Sequence, residues 1–494
     1  MLLKYTSILL LGVLVSVTSR GLKPNKLGRQ LFLSRRVVTE SGEFDGGVLV
    51  DKNGVIESIL TRESVDALLL SGDSSLKVFD GGRLALMAGA VDSHVHVNEP
   101  GRTSWEGFVT ATQAAAVGGF TTIVDMPLNS IPPTTSLENL KVKAKAAKEE
   151  VFVDVGFWGG AIPDNEAEYP LMIKAGVVGF KGFLVDSGVP EFPNLQIDDL
   201  DKVFAAFNGT NTVLAFHSEL NDSNYRNDCD GSSFCTDPYL YDTYLATRPA
   251  QMELDAFSLL ANYIEKYDVH VHIVHVSAEG VVPILERARE KRISAGNKRW
   301  RGGVTAETCH HYLTLTAEQI APGHTEFKCS PPIRNQSNKD KLWQYIKEHR
   351  LDLIASDHSP SVPELKGADF LTAWGGVSSV QFGVSLFWTE AKARGYTLST
   401  VSRFLSSGPA MLTGLQNKGT LKPGYDADMI YFDPEASFVL TPDIIMYKNK
   451  ISPYMYRVLQ GKVVHTFLRG QLIASEGELF NGPQGELLIN EELF

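Results

Sequence analysis

The sequence predicts an α/β fold: a (β/α)8 TIM-like barrel with a small β-sandwich formed from both chain ends. Three observations predict it. Between residues 87 and 414, short apolar runs such as TTIVDM, VFVDVGFW, VLAFHS, VHIVHVS and LDLIASD alternate with longer segments of helical spacing. Repeated strand-then-helix order requires parallel pairing, and this stretch is long enough for a barrel, which usually takes about 250 residues. Both ends are different in texture, with short strands and turn residues. The composition of the 494 residues, 43% hydrophobic and 21% charged, is that of a chain with a large buried core, which excludes a disordered, fibrous or multi-span membrane protein.

Residues 1–20 come first. Lys4 precedes an apolar stretch from Ile8 to Val17 that ends in small residues at Ser16, Thr18 and Ser19, the layout of a secretory signal peptide or an uncleaved anchor. The stretch is short of the roughly 18 to 20 residues of a membrane span, and a buried core segment is the competing reading. A signal would place the chain in the endoplasmic reticulum or secretory pathway; the alternatives are cytoplasmic or peroxisomal. Three sequons, at Asn208, Asn221 and Asn335, are compatible with the secretory route, as are Cys229 and Cys235, close enough in a polar loop to pair in an oxidising lumen.

Residues 21–86 form the first part of the expected sandwich. GGVLV and DKNGVIESIL flank Asn53-Gly54, a pair that supplies the positive φ angles of a two-residue hairpin turn. Residues 87–414 are the expected barrel, with the polar, Cys-bearing stretch from Asn221 to Ser233 as an insertion. Residues 415–480 return to strands in DADMIYFDP and YRVLQGKVVHTFLRGQLIAS, and 481–494 read as a C-terminal tail. Forty-six Lys and Arg against 58 Asp and Glu give a net charge of -12, so no basic footprint exists and nucleic acid is excluded as a partner. Four Cys, none spaced Cys-x-x-Cys, leave any metal to His and carboxylates.

The chemistry gathers at strand ends. In GAVDSHVHVNEPGR, His94 and His96 lie two apart, and a strand's period of two points both imidazoles to one face. Alone, such a pair is as compatible with chance on a half-exposed strand as with a metal. His217 ends VLAFH, His275 follows HIV, and Asp357 closes LDLIASD. Each stands where a strand gives way to a loop, which in a barrel is the face that builds active sites. Lys181 closes GVVGF in the same way. A protonated ammonium there would repel cations, whereas a buried lysine that loses its proton can capture carbon dioxide as an anionic carbamate. A snorkelling or salt-bridged lysine is the competing reading.

In this order His94, His96, Lys181, His217, His275 and Asp357 resemble the cyclic amidohydrolases: allantoinases, dihydroorotases, hydantoinases and dihydropyrimidinases. KPGYDADMIYFDP and ETCHHYL followed by KCSPPIR extend the resemblance over about residues 30 to 475. It implies a metal-dependent hydrolase with two divalent metal ions, zinc being the expected one. His94 and His96 would bind the more buried ion, His217 and His275 the more exposed one. Lys181, carrying carbon dioxide as a carbamate, would bridge them, and Asp357 would be both ligand and general base for a metal-bridging hydroxide.

The expected substrate is a small molecule. Dihydroorotases carry Arg two residues after the His pair; here the residue is Asn98, an amide suited to a neutral ureido group. Hydantoinases place Tyr five residues after the carbamylated Lys; here it is Asp186. HVHVNEPGRTSWEGF, MPLNSIPPT and TYLATRPAQMELDA are similar to the allantoinase branch, which implies ring opening of allantoin to allantoate, with a hydantoinase-like amidase or a non-catalytic scaffold as alternatives. Asn98, Ser330 of the SPP turn and Gly375 are the expected substrate contacts. Gly375 and Gly376 follow Trp374 in a loop that either lets backbone reach the ligand or moves as a lid, with a merely flexible loop as the equal alternative. His270, His272, His310, His311 and His358 are expected to brace ligands or strands. The resemblance also implies a homo-oligomer, a dimer or tetramer.

Overall fold

The computed structural model describes residues 28–221 and 236–493, so the expected signal or anchor at 1–20 and the Cys229 and Cys235 loop lie outside the described residues. Eight parallel strands form the barrel: Ala90–Val95, Phe120–Asp125, Asp154–Phe157, Gly179–Phe183, Val213–His217, His270–Ile273, Val304–Cys309 and Leu353–Ala355. A short extension of the third, Gly159–Gly160, carries the pairing on to the fourth. The ring closes between the eighth strand and the first, where Val95 bridges His358 and the His96 N–H donates to the His358 carbonyl at 2.8 Å. All eight strands are buried along their whole length, because helices cover the outside and side chains fill the inside.

The covering helices are specified locally. In Ile197–Phe207 the buried residues Leu200, Val203, Phe204 and Phe207 recur at helical spacing, and Gln196 and Asp199 close a capping box at its start. Phe108–Gly118 ends on Gly119, whose φ of 85° is left-handed, as a helix C-terminus favours. Among the described residues no helix is long and apolar enough to cross a membrane.

Both chain ends meet in a nine-stranded sheet that forms the sandwich. Strand Ala85–Ala88 is the joint: it runs parallel to Gln30–Thr39 and antiparallel to Met429–Val439. Phe32 stacks on Phe79 at 4.8 Å and meets the edge of Phe467 at 4.9 Å, filling the space between layers. Three expectations are corrected here. The boundary between residues 86 and 87 cuts through strand Ala85–Ala88. The Asn53-Gly54 turn is wider than two residues: the flanking strands stop at Val50 and Ile56, and Asp51 Oδ1 accepts from the N–H groups of Asn53 and Val55 at 2.8 and 2.9 Å. The 481–494 segment is not a free tail, since Glu486, Leu488 and Asn490 make backbone hydrogen bonds to Val155 and Ala175 on the barrel, and Ile489 is buried.

The two units are tied by buried charge. Lys418 Nζ donates to Asp154 at 2.5 Å at the start of the third barrel strand and to Asp428 at 2.8 Å in the sandwich. Arg469 adds a bond to Asp154 at 2.6 Å. Each buried charge therefore has an opposite partner, without which desolvation would be prohibitive.

Candidate metal centre

The first barrel strand points alternate residues inward and delivers His94 to the mouth; His96 follows two residues on. Their Nε2 atoms lie 3.2 and 3.5 Å from Asp357 Oδ1, and the three donor atoms fall within 4.8 Å of one another. Asp357 stands just past the eighth strand with a φ of 45°, and His275, past the sixth, has a φ of 39°. Left-handed backbone is costly for both residue types and is found where a site requires a side chain to be aimed. The His94 ring is 5.4 Å from the His275 ring, which lies 4.6 Å from that of His217. The expected histidines and the aspartate thus form one continuous cluster.

Hydrogen bonds determine which ring nitrogen faces that cluster. His94 Nδ1 meets Glu307 Oε1 at 2.5 Å, His96 Nδ1 donates to the Leu128 carbonyl at 3.1 Å, and His217 Nε2 meets Glu219 Oε2 at 2.6 Å. Arg248 grips the same Glu219 oxygen and holds it in place. Each of these bonds occupies the outward nitrogen with a proton and leaves the inward one with its lone pair. Burial lowers the proton affinity of His94 and His217 and takes that of His275 well below the ordinary range, so the imidazoles are neutral donors. Burial alone would raise Asp357, and only positive charge on the facing His94, His96 and His275 rings, or a cation in its place, brings the carboxyl below the ordinary carboxylate range.

Lys181 lies within the fourth barrel strand, fully buried, with no hydrogen-bond partner for Nζ among the described residues. Its Nζ sits over the Phe183 ring at 5.2 Å, and Phe183 stacks on His217 at 4.8 Å. Burial pulls the amine down from 10.5 to about 8, against the upward pull of Asp357 and Glu307. His94 Nε2 and His275 Nδ1 are also buried without hydrogen-bond partners among the described residues. A native interior seldom leaves such groups unpaired. His94 Nε2, 3.2 Å from Asp357 Oδ1, and the Lys181 amine, which feels that same carboxylate, suit a site built around cations and an added anion.

The substrate candidates behave differently from one another. Asn98 is fully buried with a φ of 65°; its Nδ2 donates to the Pro360 carbonyl at 3.2 Å and its Oδ1 accepts from Asn129 at 3.4 Å. It therefore ties the loop after His96 to the loop after Asp357. Ser330 Oγ pairs with the Tyr244 hydroxyl at 2.8 Å, and a Cβ added to Gly375 would lie 3.6 Å from Ser330 Oγ, so these two sit together. The loop at Trp374 is pinned: Lys366 Nζ donates to the carbonyls of Trp374 and Gly376 at 2.8 and 2.7 Å, and Lys328 Nζ to that of Ala373 at 2.5 Å. That contradicts a free lid. Asp186 is exposed and merely turns its loop through a bond from the Gly188 N–H.

Of the bracing histidines, His272 Nε2 reaches Glu307 at 3.1 Å, His270 reaches Thr305 at 2.9 Å, and His358 reaches Glu106 at 3.3 Å. His310 and His311 brace nothing by hydrogen bonds, since neither ring has a partner among the described residues. His311 instead lies with Cys309 against Asp357. Sequence reasoning assigned no role to Glu307 or Glu219, which orient His94 and His217. Glu219, two residues after His217 in HSE, was the one visible signal; Glu307 is 213 residues from His94 and its role is visible only in the fold.

Comparisons agree with this geometry. Residues 85–473 match the model of the amidohydrolase family. An allantoinase of Streptomyces avermitilis is 41% identical over 462 residues, which is 93% of this chain and 98% of that protein. A mitochondrial allantoinase of Aquarana catesbeiana is 50% identical over 345 residues, 69% of this chain and 68% of that protein. Among solved structures, the L-hydantoinase (dihydropyrimidinase) of Arthrobacter aurescens superposes with a TM-score of 0.82 at 25% identity, covering 93% of this chain and 99% of that one.

Proposed function

Since the chain belongs to the amidohydrolase family and an allantoinase matches it over nearly its whole length, we propose that it hydrolyses the cyclic amide bond of allantoin, opening the hydantoin ring to allantoate. The observation that carries this reading is the convergence of His94, His96, His217, His275 and Asp357 on one barrel mouth beside the Lys181 amine, which has no hydrogen-bond partner among the described residues.

The donor set suits two divalent cations, with zinc the expected metal because neutral imidazoles and a carboxylate are its usual ligands. His94, His96 and Asp357 would hold one, His217 and His275 the other. When bound, such ions polarise a carbonyl and bring the pKa of water toward neutrality. Lys181 would lie between them as a carbamate: the free amine adds to carbon dioxide, forming the N–C bond and releasing one proton. Burial lowers the amine to about 8, which leaves a minor unprotonated fraction at neutral pH for that addition. Asp357, held ionised, takes the proton of the attacking water and delivers it to the ring nitrogen as the C–N bond breaks. Ser330 and the Gly375 backbone contact the heterocycle, while Asn98 acts by holding the loops after His96 and Asp357 in register.

Metal analysis of purified protein coupled to hydrolysis assays on allantoin, hydantoin, dihydrouracil and dihydroorotate tests the reading. Preference for allantoin is expected; preference for dihydrouracil would favour the hydantoinase-like alternative. Light scattering is expected to show a dimer or tetramer. Lys4 and the Ile8–Val17 run are read as directing the chain to the secretory pathway, and a reporter carrying residues 1–20 that stays in the cytosol would refute this.

A further inference from the structure

The loop carrying Gly375 is held by two lysines from separate segments of the chain. Lys328 Nζ donates to the carbonyls of Leu371 at 3.3 Å and Ala373 at 2.5 Å, and Lys366 Nζ to those of Trp374 at 2.8 Å and Gly376 at 2.7 Å. Among the described residues, every hydrogen bond of either amine goes to a main-chain carbonyl of this one loop. Lys328 is buried and Lys366 half-buried, and burial lowers each amine from 10.5 to about 8. A methionine at either position would carry no such cost. What lysine adds there is donors.

Backbone bonding across residues 373–376 is complete except at one residue. The N–H groups of Ala373, Trp374 and Gly376 donate to the carbonyls of Asp369, Leu365 and Lys328 at 2.9, 2.8 and 2.7 Å, and the carbonyls of the same three residues accept from the lysines. Gly375 lies between them, and neither its N–H nor its C=O has a hydrogen-bond partner among the described residues. A main-chain donor and acceptor left open at one fixed residue can meet the acceptor and donor of a ring amide. Where Gly375 sits is fixed too: an added Cβ would lie 3.6 Å from Ser330 Oγ and 3.8 Å from Cys329 Cα. Gly376, with a φ of 149°, presses on the loop after Asp357, where an added Cβ would collide with the Ser359 carbonyl. Lys328 also serves Ser330. It stands two residues before it, its Nζ lies 4.9 Å from the centre of the Tyr244 ring, and the Tyr244 hydroxyl pairs with Ser330 Oγ at 2.8 Å.

We propose that Lys328 and Lys366 are positioning residues for the substrate: by taking up the carbonyls on either side, they hold Gly375 with its own N–H and C=O open to the ring amide beside Ser330. The inference rests on the proposed function in taking Ser330 and Gly375 as substrate contacts, and it assigns a task to two residues outside the metal centre.

Lys366→Met removes two donors and keeps the length of the stem. Two readouts on the full-length, metal-loaded enzyme test the proposal. Hydrogen exchange follows the amides of residues 373–376, and steady-state kinetics follow whichever of allantoin, hydantoin, dihydrouracil and dihydroorotate the unaltered enzyme hydrolyses fastest. Preference for a ring other than allantoin would overturn the substrate assignment alone and leave both readouts intact. In the variant, the Trp374 and Gly376 amides are expected to lose protection. KM is expected to rise about tenfold, the scale of one to two hydrogen bonds, with kcat and metal content unchanged, the split that follows from losing binding common to ground and transition states. Native KM, native exchange, or a fall in kcat with loss of metal would overturn the proposal. Should Lys366→Met not fold, exchange in the unaltered protein decides. Protected Trp374 and Gly376 amides beside a Gly375 amide that exchanges fast and slows under saturating substrate support it; a Gly375 amide indifferent to substrate overturns it.

Discussion

Glu307→Gln keeps the shape of the side chain and removes its charge. In the native protein one carboxylate oxygen accepts from His94 Nδ1 at 2.5 Å and the other from His272 Nε2 at 3.1 Å, with the His275 N–H at 3.3 Å. Burial pushes this carboxyl up, but His94 and His272 more than offset it and bring it from 4.5 to about 2. That difference corresponds to roughly 3 kcal/mol favouring the ionised form. An amide has one oxygen and one NH2, so one of the two imidazoles meets a donor where it had an acceptor. If the ring that turns its tautomer is His94, Nε2 gains a proton and loses the lone pair aimed at the centre. Zinc affinity is expected to fall by roughly 10 to 100-fold, about 1.4 to 2.7 kcal/mol, and the metal-free protein to lose stability as well, because a buried imidazole N–H is left facing a donor. Chelator competition measures the first and urea denaturation the second. Native zinc affinity together with native apo stability would refute the assignment of Glu307 as the group that orients His94.

Further outcomes follow from other contacts. Lys181→Ala is expected to lose bound metal and activity, with partial recovery on adding a short carboxylic acid that restores an anion beside the cluster; full activity without one would contradict the carbamate. Reactivation of metal-free protein by zinc at fixed dissolved carbon dioxide is expected to speed up as pH rises and to level off above about 8, since the amine is reactive only when unprotonated and burial lowers it to about that value; a pH-independent rate would exclude amine capture. Asn98→Ala removes the bond to the Pro360 carbonyl, worth about 1 kcal/mol, and is expected to cut turnover about fivefold with metal content unchanged; native turnover would remove Asn98 from the machinery.

Much of the site was legible because each ligand ends a strand. The period of two puts His94 and His96 on one face, and the ends of VLAFH, VHIVH and LDLIASD place His217, His275 and Asp357 at the same rim. Lys181 was legible only through its order among the others, since a lysine closing an apolar run is ambiguous until its burial is known. The loops were less legible. Trp374-Gly375-Gly376 reads as flexible from its glycines, yet Lys328 and Lys366, themselves ordinary in sequence, hold its carbonyls. Asn98 reads as an open amide, yet Pro360, 262 residues away, occupies its donor.

The amino-acid sequence by itself determined the alternation of strand and helix, the β-rich ends and the identity of the six side chains at the mouth, because hydrophobic period and residue type act locally and are written along the chain. Tertiary structure alone decided which nitrogen of His94, His96 and His217 an outer partner takes up, that Lys181 Nζ has no hydrogen-bond partner among the described residues, and that residues 485–490 dock on the barrel. Those properties depend on distances between residues far apart in the chain, and burial turns such distances into proton affinities and unmet hydrogen bonds that no local pattern records.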